Sequence, residues 1–280
     1  MRIRIVDAFT DRPFAGNPAG VMLFDGPFPD DDRLQAVAAE VNLSETAFAR
    51  PLDGTHAGGE GDDEREEADW ALRWFTPSTE VDMCGHATLA TAHILHTTGA
   101  ATGTVRFATR CGVLTTTAHE DGSLTLDFPT SSLTPLAVPD GLAEALGAAP
   151  LSVHDTSDHI GDLLVELSDE RTVHALTPDW QALAGRSRRG VIVTAPAADP
   201  ALGYDFVSRG FFPNVGIDED PVTGSAHTAL APFWAARLGR TELTGLQGGA
   251  RRGRVRTALR GDRTLLTGRA VTVIDGEFLV

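Results

Sequence analysis

The sequence contains no lysine, so arginine supplies all 23 of the residues counted as lysine plus arginine. Enzymes that bind pyridoxal phosphate need a lysine amine for the Schiff base, so this class is excluded. The Walker phosphate loop also needs its lysine, which excludes nucleotide hydrolysis at a site of that type. No Gly-x-Gly-x-x-Gly motif follows the first predicted strand, so a dinucleotide-binding fold is not supported either.

Cysteine is scarce, because the chain contains only Cys84 and Cys111. Two cysteines form no disulfide framework. Apolar runs are far shorter than the roughly 20 residues that a membrane helix needs. The N-terminal residues alternate like a strand and lack the apolar block of a signal peptide. We therefore predict a cytoplasmic protein with no membrane partner.

Basic charge is also low, and the formal net charge is −16. Because nucleic acid requires a basic surface, we expect no nucleic-acid partner. Many of the acidic residues lie in the segment 60–69, which we interpret as a solvated loop. The 280 residues, 42% of them hydrophobic, are enough for two domains with their own cores.

An internal repeat organises the chain. The motif Arg-x-Phe-x-Pro occupies residues 73–77 and again residues 209–213. Each copy is followed by an acidic turn and then by an apolar helix, predicted over residues 85–98 and from residue 224 to Gly239. This order indicates two related domains, each offering a helix N-terminus to a shared cleft.

Each half of the sequence contains several predicted strands and one principal apolar helix. This pattern predicts an α+β fold with mostly antiparallel strands. A helix that is apolar on nearly all sides must be buried, which strands curling around it would achieve. We predict an N-terminal domain of residues 1–128 with 268–280, and a C-terminal domain of residues 129–267.

Two residues of the first half are candidates for acid–base chemistry. Glu45 lies in a mostly apolar segment that predicts a strand. It is either a solvent-facing residue or, if apolar burial raises its pKa toward neutrality, a proton shuttle. His86 lies in the first turn of its helix, where the positive helix end favours the neutral imidazole. It either forms a hydrogen bond with the substrate or with a catalytic acid, or it is a structural group.

A metal site is not predicted. His86, His93 and His96 lack the His-Glu-x-x-His and paired-cysteine patterns that are typical of zinc sites. Cys84 immediately precedes the helix, and a helix N-terminus lowers the pKa of a thiol and raises its reactivity. The alternative interpretation of Cys84 is a small buried hydrophobic residue.

The second acidic turn, residues 220–225, reads Asp-Pro-Val-Thr-Gly-Ser. Asp220 is either the N-cap of the following helix, with proline at its first position, or an acid–base partner at the mouth of the cleft. In the second interpretation, Gly224 and Ser225 offer backbone N–H groups and a hydroxyl to a substrate carboxylate. The two interpretations are compatible.

Four groups of motifs occur in order along the chain: VDAF with FAGNPAGV (residues 6–9 and 14–21), LSETAF (43–48), FTP with EV and CGHAT (75–77, 80–81 and 84–88), and EDPVTGSA (219–226). Together they resemble the PhzF family, which is named for phenazine biosynthesis and has the diaminopimelate epimerase-like fold. The combination spans essentially the whole chain and is specific, whereas any one motif alone would not be.

This resemblance implies two pseudo-symmetric domains, each a curved barrel-like sheet around a central helix, with the site between them. The implied site residues are Glu45 as proton shuttle, His86, Asp220 and Ser225 as polar partners, and Ser44, Gly85 and Gly224 as further contacts to a carboxylated substrate. The name-giving member isomerises trans-2,3-dihydro-3-hydroxyanthranilate by moving a proton, without a cofactor. Members are typically homodimers. We therefore expect a cofactor-independent isomerase of a small carboxylate that forms a homodimer.

Two other functions stay open. Related epimerases use one cysteine from each domain as a two-base pair, and Cys84 matches the first of these positions. The second half offers Asp220 and Thr223 but no thiol, which argues against two-cysteine racemisation. A racemase or epimerase of an amino or hydroxy acid, with Cys84 or Glu45 facing Asp220, is one alternative. A non-catalytic relative that binds a small ligand is the other.

Overall fold

The structure, a computed structural model, describes residues 1–52, 68–156 and 160–279. The chain divides into two compact units: unit 1 comprises residues 1–127 and 267–280, and unit 2 comprises residues 128–266. The acidic residues 60–67, interpreted above as part of a solvated loop, lie outside the described part.

The chain enters unit 1 with β1 (Arg2–Ala8), β2 (Asn17–Leu23), α1 (Asp31–Val41), β3 (Glu45–Pro51), β4 (Trp70–Phe75), β5 (Glu80–Val81), α2 (Gly85–Thr97), β6 (Thr104–Thr109), β7 (Gly112–Ala118) and β8 (Leu124–Pro129). It continues in unit 2 with β9 (Leu133–Leu136), α3 (Leu142–Leu146), β10 (Ser152–Thr156), β11 (Asp162–Glu166), α4 (Glu170–Ala175), α5 (Trp180–Leu183), β12 (Gly190–Pro196), β13 (Phe206–Phe212), β14 (Ile217–Asp220), α6 (Gly224–Leu238), β15 (Glu242–Gln247), β16 (Gly253–Arg260) and β17 (Arg263–Gly268). The last strand, β18 (Ala270–Glu277), belongs to unit 1.

The two units share one order of strand pairing. In unit 1 the order is β18–β1–β2–β3–β4–β6–β7, with β2–β3 and β4–β6 parallel and the other pairs antiparallel. In unit 2 the order is β9–β10–β11–β12–β13–β15–β16, with β11–β12 and β13–β15 parallel and the others antiparallel. The orientations agree at every step. The internal repeat of the sequence is therefore a repeat of structure, and the predicted α+β class with mostly antiparallel strands is confirmed.

Each unit is built around its long helix. In α2, every residue from Gly85 to Leu95 is buried except the half-buried His93, and the helix packs on β1, β2, β3 and β18. In α6, Ala226, Leu230 and Phe233 join an apolar cluster with side chains of the unit 2 strands. The expectation of a central apolar helix is thus met within each unit.

The arginine of the repeated Arg-x-Phe-x-Pro motif fastens the acidic turn that follows it. In unit 1, Arg73 donates to both carboxylate oxygens of Glu80, at 2.7 and 2.8 Å. In unit 2, Arg209 makes the same bidentate contact with Glu219, at 2.8 Å for each bond. Such paired charge-assisted hydrogen bonds fix both geometry and register. They hold the turns from which α2 and α6 begin.

Two segments differ from the sequence-based expectation. Residues 11–20 are rich in Gly, Pro and Asn, a composition that predicts a turn, but β2 already begins at Asn17, where it pairs with β1 and then β3. Residues 129–139 carry little regular sequence signal, which predicts a connection between the two domains, yet they contain β9, which pairs with β10. In both cases pairing with neighbouring strands overrides the local turn-forming composition.

The strand β15 was not predicted at all. Its buried positions are Leu243, Gly245 and Gln247, so the hydrophobic alternation of a strand is missing from the sequence. Gly245 is required because a Cβ there would lie 2.5 Å from the Phe206 ring.

Among the described residues, no helix is both long enough and apolar enough to cross a bilayer.

Candidate functional site

Glu45 begins β3, where it pairs with Ala19 of β2. Its side chain is only 13% exposed, and the four residues that follow it in the strand are buried. The interpretation of Glu45 as a solvent-facing residue therefore does not hold. The carboxylate lies at the start of a buried strand and is largely shielded from water.

His86 lies in the first turn of α2, next to this carboxylate. Its Nε2 is 3.3 Å from Oε2 of Glu45, and its Nδ1 is 3.4 Å from Sγ of Cys84. Burial lowers the pKa of His86 to about 3, so the imidazole is neutral at physiological pH. Unit 1 thus places a neutral imidazole between a carboxylate and a thiol.

Glu45, Cys84 and His86 each offer a ligand atom, and these atoms lie within 4.8 Å of one another. However, the carboxylate and the thiol contact opposite nitrogens of the ring, whereas one ion would use a single nitrogen. The three residues are therefore arranged along the imidazole ring rather than around one ion position. His86 is hydrogen-bonded to Cys84, and its Nε2 lies close to the Glu45 carboxylate without completing a hydrogen bond to Oε2. His93 does not join them, since its Nε2 lies 3.1 Å from Oγ1 of Thr272.

Ser44 and Gly85 flank this group along the chain. The Ser44 hydroxyl donates to Oδ1 of Asn17 at 3.4 Å, which ties the start of β3 to the start of β2. Gly85 is the first residue of α2, whose N-terminal N–H groups lack partners within the helix. Both residues predicted to contact substrate in the first half are thus adjacent in sequence to the Glu45–His86 contact.

Asp220 ends β14 and is not the helix N-cap. The N-cap of α6 is Thr223, and its side chain makes no cap hydrogen bond. Instead, the Thr223 hydroxyl donates to Oδ2 of Asp220 at 2.5 Å and accepts from Nε2 of Gln247 at 3.0 Å. The capping interpretation of Asp220 was wrong because two residues of turn separate Asp220 from Thr223. Thr223 thus holds the Asp220 carboxylate, and Gln247 in turn holds the Thr223 hydroxyl.

Ser225 lies in the first turn of α6, after Gly224, and has a partner that the sequence did not reveal. Arg189 Nη2 donates to Ser225 Oγ at 2.8 Å. The same guanidinium holds both oxygens of Asp162, at 2.9 and 2.6 Å, and the Asp162 side chain is fully buried. A buried carboxylate thus anchors an arginine beside the helix N-terminus.

The model of the phenazine biosynthesis-like (PhzC-PhzF) protein family matches residues 6–276. The chain belongs to the PhzF family. It is 51% identical over 272 residues to an uncharacterized isomerase of Pseudomonas aeruginosa, covering 97% of this chain and 96% of that protein. It is 40% identical over 289 residues to the mouse phenazine biosynthesis-like domain-containing protein 2, with 98% and 97% covered.

Solved structures agree with this assignment. A PhzF family protein of Enterococcus faecalis superposes with a TM-score of 0.88 at 38% identity, covering 100% of this chain and 99% of that one. A hydroxyproline epimerase of Agrobacterium vitis superposes with a TM-score of 0.59 at 15% identity, covering 99% and 91%, and shares the fold alone. With relatives named isomerases, this PhzF family member is an enzyme of the isomerase class.

The repeat in this PhzF family member assigns structural counterparts in the two units. In the β3–β4 pair Thr46 lies opposite Phe75, and in the β12–β13 pair Val191 lies opposite Phe211. Glu45 therefore corresponds to Gly190, where a Cβ would lie 2.1 Å from the Phe212 ring. Unit 2 has no room for a counterpart of the glutamate. One residue earlier, Ser44 corresponds to Arg189.

Two buried histidines make the stability of this PhzF family member depend on pH. The pKa of His86 falls to about 3 and that of His227 to about 4, both because of burial. Below about pH 6.5 the unfolded chain binds a proton at each position, while the folded chain does not. The free energy of unfolding should therefore fall as the pH falls from 6.5 toward 4.

Urea denaturation across that pH range measures this effect. In His227→Asn the side-chain amide can replace Nδ1 as the donor to the Thr223 carbonyl, a hydrogen bond that is 2.9 Å long in the wild type. Asparagine does not titrate in this range. The slope of the variant's unfolding free energy against pH should therefore be smaller than that of the wild type, by the amount that corresponds to about one bound proton. Equal slopes for the two proteins would contradict the assignment.

Proposed function

We propose that this chain is a cofactor-independent isomerase that moves a proton on a small carboxylated substrate, as trans-2,3-dihydro-3-hydroxyanthranilate isomerase does. The observation that carries the proposal is the contact between buried Glu45 and neutral His86. A carboxylate with restricted access to water, 3.3 Å from an uncharged imidazole nitrogen, is suited to taking and returning a proton.

In the first step, the Glu45 carboxylate takes a proton from a carbon that is activated by conjugation. The electron pair of the C–H bond enters the conjugated system of the substrate, and Glu45 becomes a carboxylic acid. In the second step, Glu45 returns the proton at another carbon, and the carboxylate is restored. His86 keeps the carboxylate oriented during both steps. A positioned acid–base group of this kind contributes about 10²–10⁴-fold to the rate.

The carboxylate of the substrate is proposed to bind at the N-terminus of α6. Gly224 and Ser225 supply the N–H groups of the first turn, where the helix dipole favours an anion. Arg189 donates to the Ser225 oxygen, so the Ser225 proton is available to the ligand. Ser44 and Gly85 are proposed as further substrate contacts, and Asp220 as an acid–base partner.

Substitution of Arg189 tests the carboxylate assignment. Arg189→Met should raise KM about 10-fold or more with a smaller effect on kcat, because Ser225 loses the charge-assisted hydrogen bond that orients its hydroxyl, and such bonds are worth about 1.5–3 kcal/mol. Arg188→Met is the matched control, since Arg188 is 53% exposed and its ion pair with Asp155 is 3.8 Å long. Equal effects of the two substitutions on KM would contradict the role of Arg189.

Proton NMR of trans-2,3-dihydro-3-hydroxyanthranilate in deuterated buffer tests the reaction itself. The proposal predicts an isomerised product that carries deuterium at the position of protonation. An unchanged spectrum would reject this substrate, and other small conjugated carboxylates would be tried next. Failure with the whole class would reject the isomerisation.

An amino-acid or hydroxy-acid racemase is the second candidate, favoured by the position of Cys84 before Gly85. It predicts deuterium at a stereocentre together with loss of optical rotation. Retention of configuration in deuterated buffer would exclude it. Thr223 occupies in unit 2 the N-cap position that Cys84 has in unit 1, so the second base of a racemase would have to be Asp220 and not a second thiol.

The predicted homodimer is tested separately by sedimentation equilibrium. We expect a species of twice the chain mass at micromolar concentration. A single species of one chain mass over the whole concentration range would contradict this expectation.

A further inference from the structure

We propose that Cys84 is a positioning residue, whose neutral thiol donates its hydrogen to Nδ1 of His86 and so keeps the Nε2–H of the ring toward Glu45. The proposal rests on the proposed function in one respect, namely that Glu45 acts from its ionised form. It assigns Cys84 a role other than that of a base.

The position of Cys84 makes this contact possible. Cys84 is the N-cap residue of α2, but its side chain makes no cap hydrogen bond. The residue is 5% exposed, and Sγ lies 3.4 Å from Nδ1 of a ring that is itself buried. That distance is normal for a hydrogen bond that involves sulfur. The thiol therefore contacts the imidazole where serine or threonine would cap the helix.

The direction of the hydrogen bond follows from the number of available protons. Because the pKa of His86 is about 3, the ring is neutral and carries one N–H. An ionised Glu45 carboxylate only accepts hydrogen bonds, and its Oε2 lies 3.3 Å from Nε2. The ring proton must then be on Nε2, since a bare nitrogen would set its lone pair against the carboxylate. Nδ1 is left as an acceptor.

The hydrogen that satisfies Nδ1 comes from the thiol. A thiolate at this position would face the lone pair of Nδ1 in a buried setting, which costs free energy. The pair is therefore a thiol that donates and an imidazole that accepts. This arrangement argues against a thiolate base at Cys84, and it leaves Glu45 as the group of unit 1 that exchanges protons with the substrate.

Nitrogen NMR of the histidine rings tests the proposal without any substrate. Protein labelled with ¹⁵N-histidine at neutral pH should show His86 protonated at Nε2 and hydrogen-bonded but bare at Nδ1. In Cys84→Ala the Nδ1 signal should move toward the value of a nitrogen without a hydrogen bond. In Cys84→Ser a hydroxyl replaces the donor, and the signal should move back. A wild-type ring protonated at Nδ1, or a Nδ1 signal unchanged in Cys84→Ala, would overturn the proposal.

The ultraviolet absorbance of thiolate provides a second measurement. Cys111 is exposed, so Cys111→Ser removes its signal and leaves Cys84 as the single thiol of the chain. At neutral pH this variant should show the absorbance of a thiol. A thiolate signal that disappears in the Cys84→Ser, Cys111→Ser double variant would overturn the proposal and favour the racemase.

Kinetics separates a positioning role from a basic one. Cys84→Ala should lower kcat about 10-fold, as is typical of residues that orient catalytic groups. Cys84→Ser should retain kcat within about threefold, because serine still donates to Nδ1. A cysteine that acts as a base would instead lose activity equally in both variants. If no substrate is turned over, the proposed function fails while the NMR result on Cys84 still stands.

Discussion

Glu45→Gln should lower kcat by about 10²–10⁴-fold and leave KM nearly unchanged. Glutamine has almost the same shape and keeps an acceptor oxygen for Nε2 of His86, which lies 3.3 Å away in the wild type. It has no carboxylate to take the proton. The loss should therefore appear in the chemical step, and deuterium from the buffer should no longer enter the product.

Glu40→Gln is the control for this substitution, since Glu40 is an exposed residue of α1 and its change should leave kcat within about twofold. Both variants should have the unfolding midpoint of the wild type within a few degrees. Retained turnover in Glu45→Gln would reject Glu45 as the base, whatever the substrate is.

Gly16→Ala should be the most destabilising of the substitutions considered, at about 4 kcal/mol or more. Gly16 has a φ of +62°, and a Cβ there would lie 2.1 Å from the backbone oxygen of Ala8. Neither a side-chain rotation nor a small shift relieves a clash with backbone. The turn also places Asn17, which accepts the Ser44 hydrogen bond, so residual folded protein should be less active.

Gly26→Ala is the matched control, ten residues further along the chain. A Cβ at Gly26 meets no atom within 4 Å, and its φ is outside the left-handed region. Its free energy of unfolding should change by about 0.5 kcal/mol or less. Urea denaturation of both variants gives the comparison, and similar midpoints for the two would contradict the role assigned to Gly16.

Much of the fold was accessible from the sequence because its elements carry strong local patterns. The apolar and aromatic composition of residues 70–75 predicts a strand, and this segment is β4 itself. Both long helices begin at their predicted glycines, and α6 ends where Gly239 adopts a positive φ of 66°. One of the exceptions, β15, was hidden because its inward positions hold glycine and glutamine as well as leucine. Hydrophobic periodicity cannot report a strand whose buried face is not hydrophobic.

The candidate site was predictable only in part. Glu45 and His86 were found from motifs, but their 3.3 Å contact depends on how β3 lies against α2. Arg189 was missed because it is 36 residues from Ser225 in sequence and follows a run of loop-like residues. The repeat could have revealed it, since Arg189 takes the position equivalent to Ser44 when β12 is aligned with β3. That alignment needs the strand register, which the sequence does not show.

The shared order of strand pairing is the pattern that duplication of a half-length ancestor would leave, and the two copies now carry different side chains at matching positions. Where one copy of the ancestral half has Glu45 and His86, the other has Gly190 and Ser225 at the corresponding positions. The proposed proton shuttle thus lies in one copy, and the proposed anion-binding helix N-terminus lies in the other. Substitutions around the N-terminus of α6 can therefore alter anion binding while Glu45 and His86 stay unchanged.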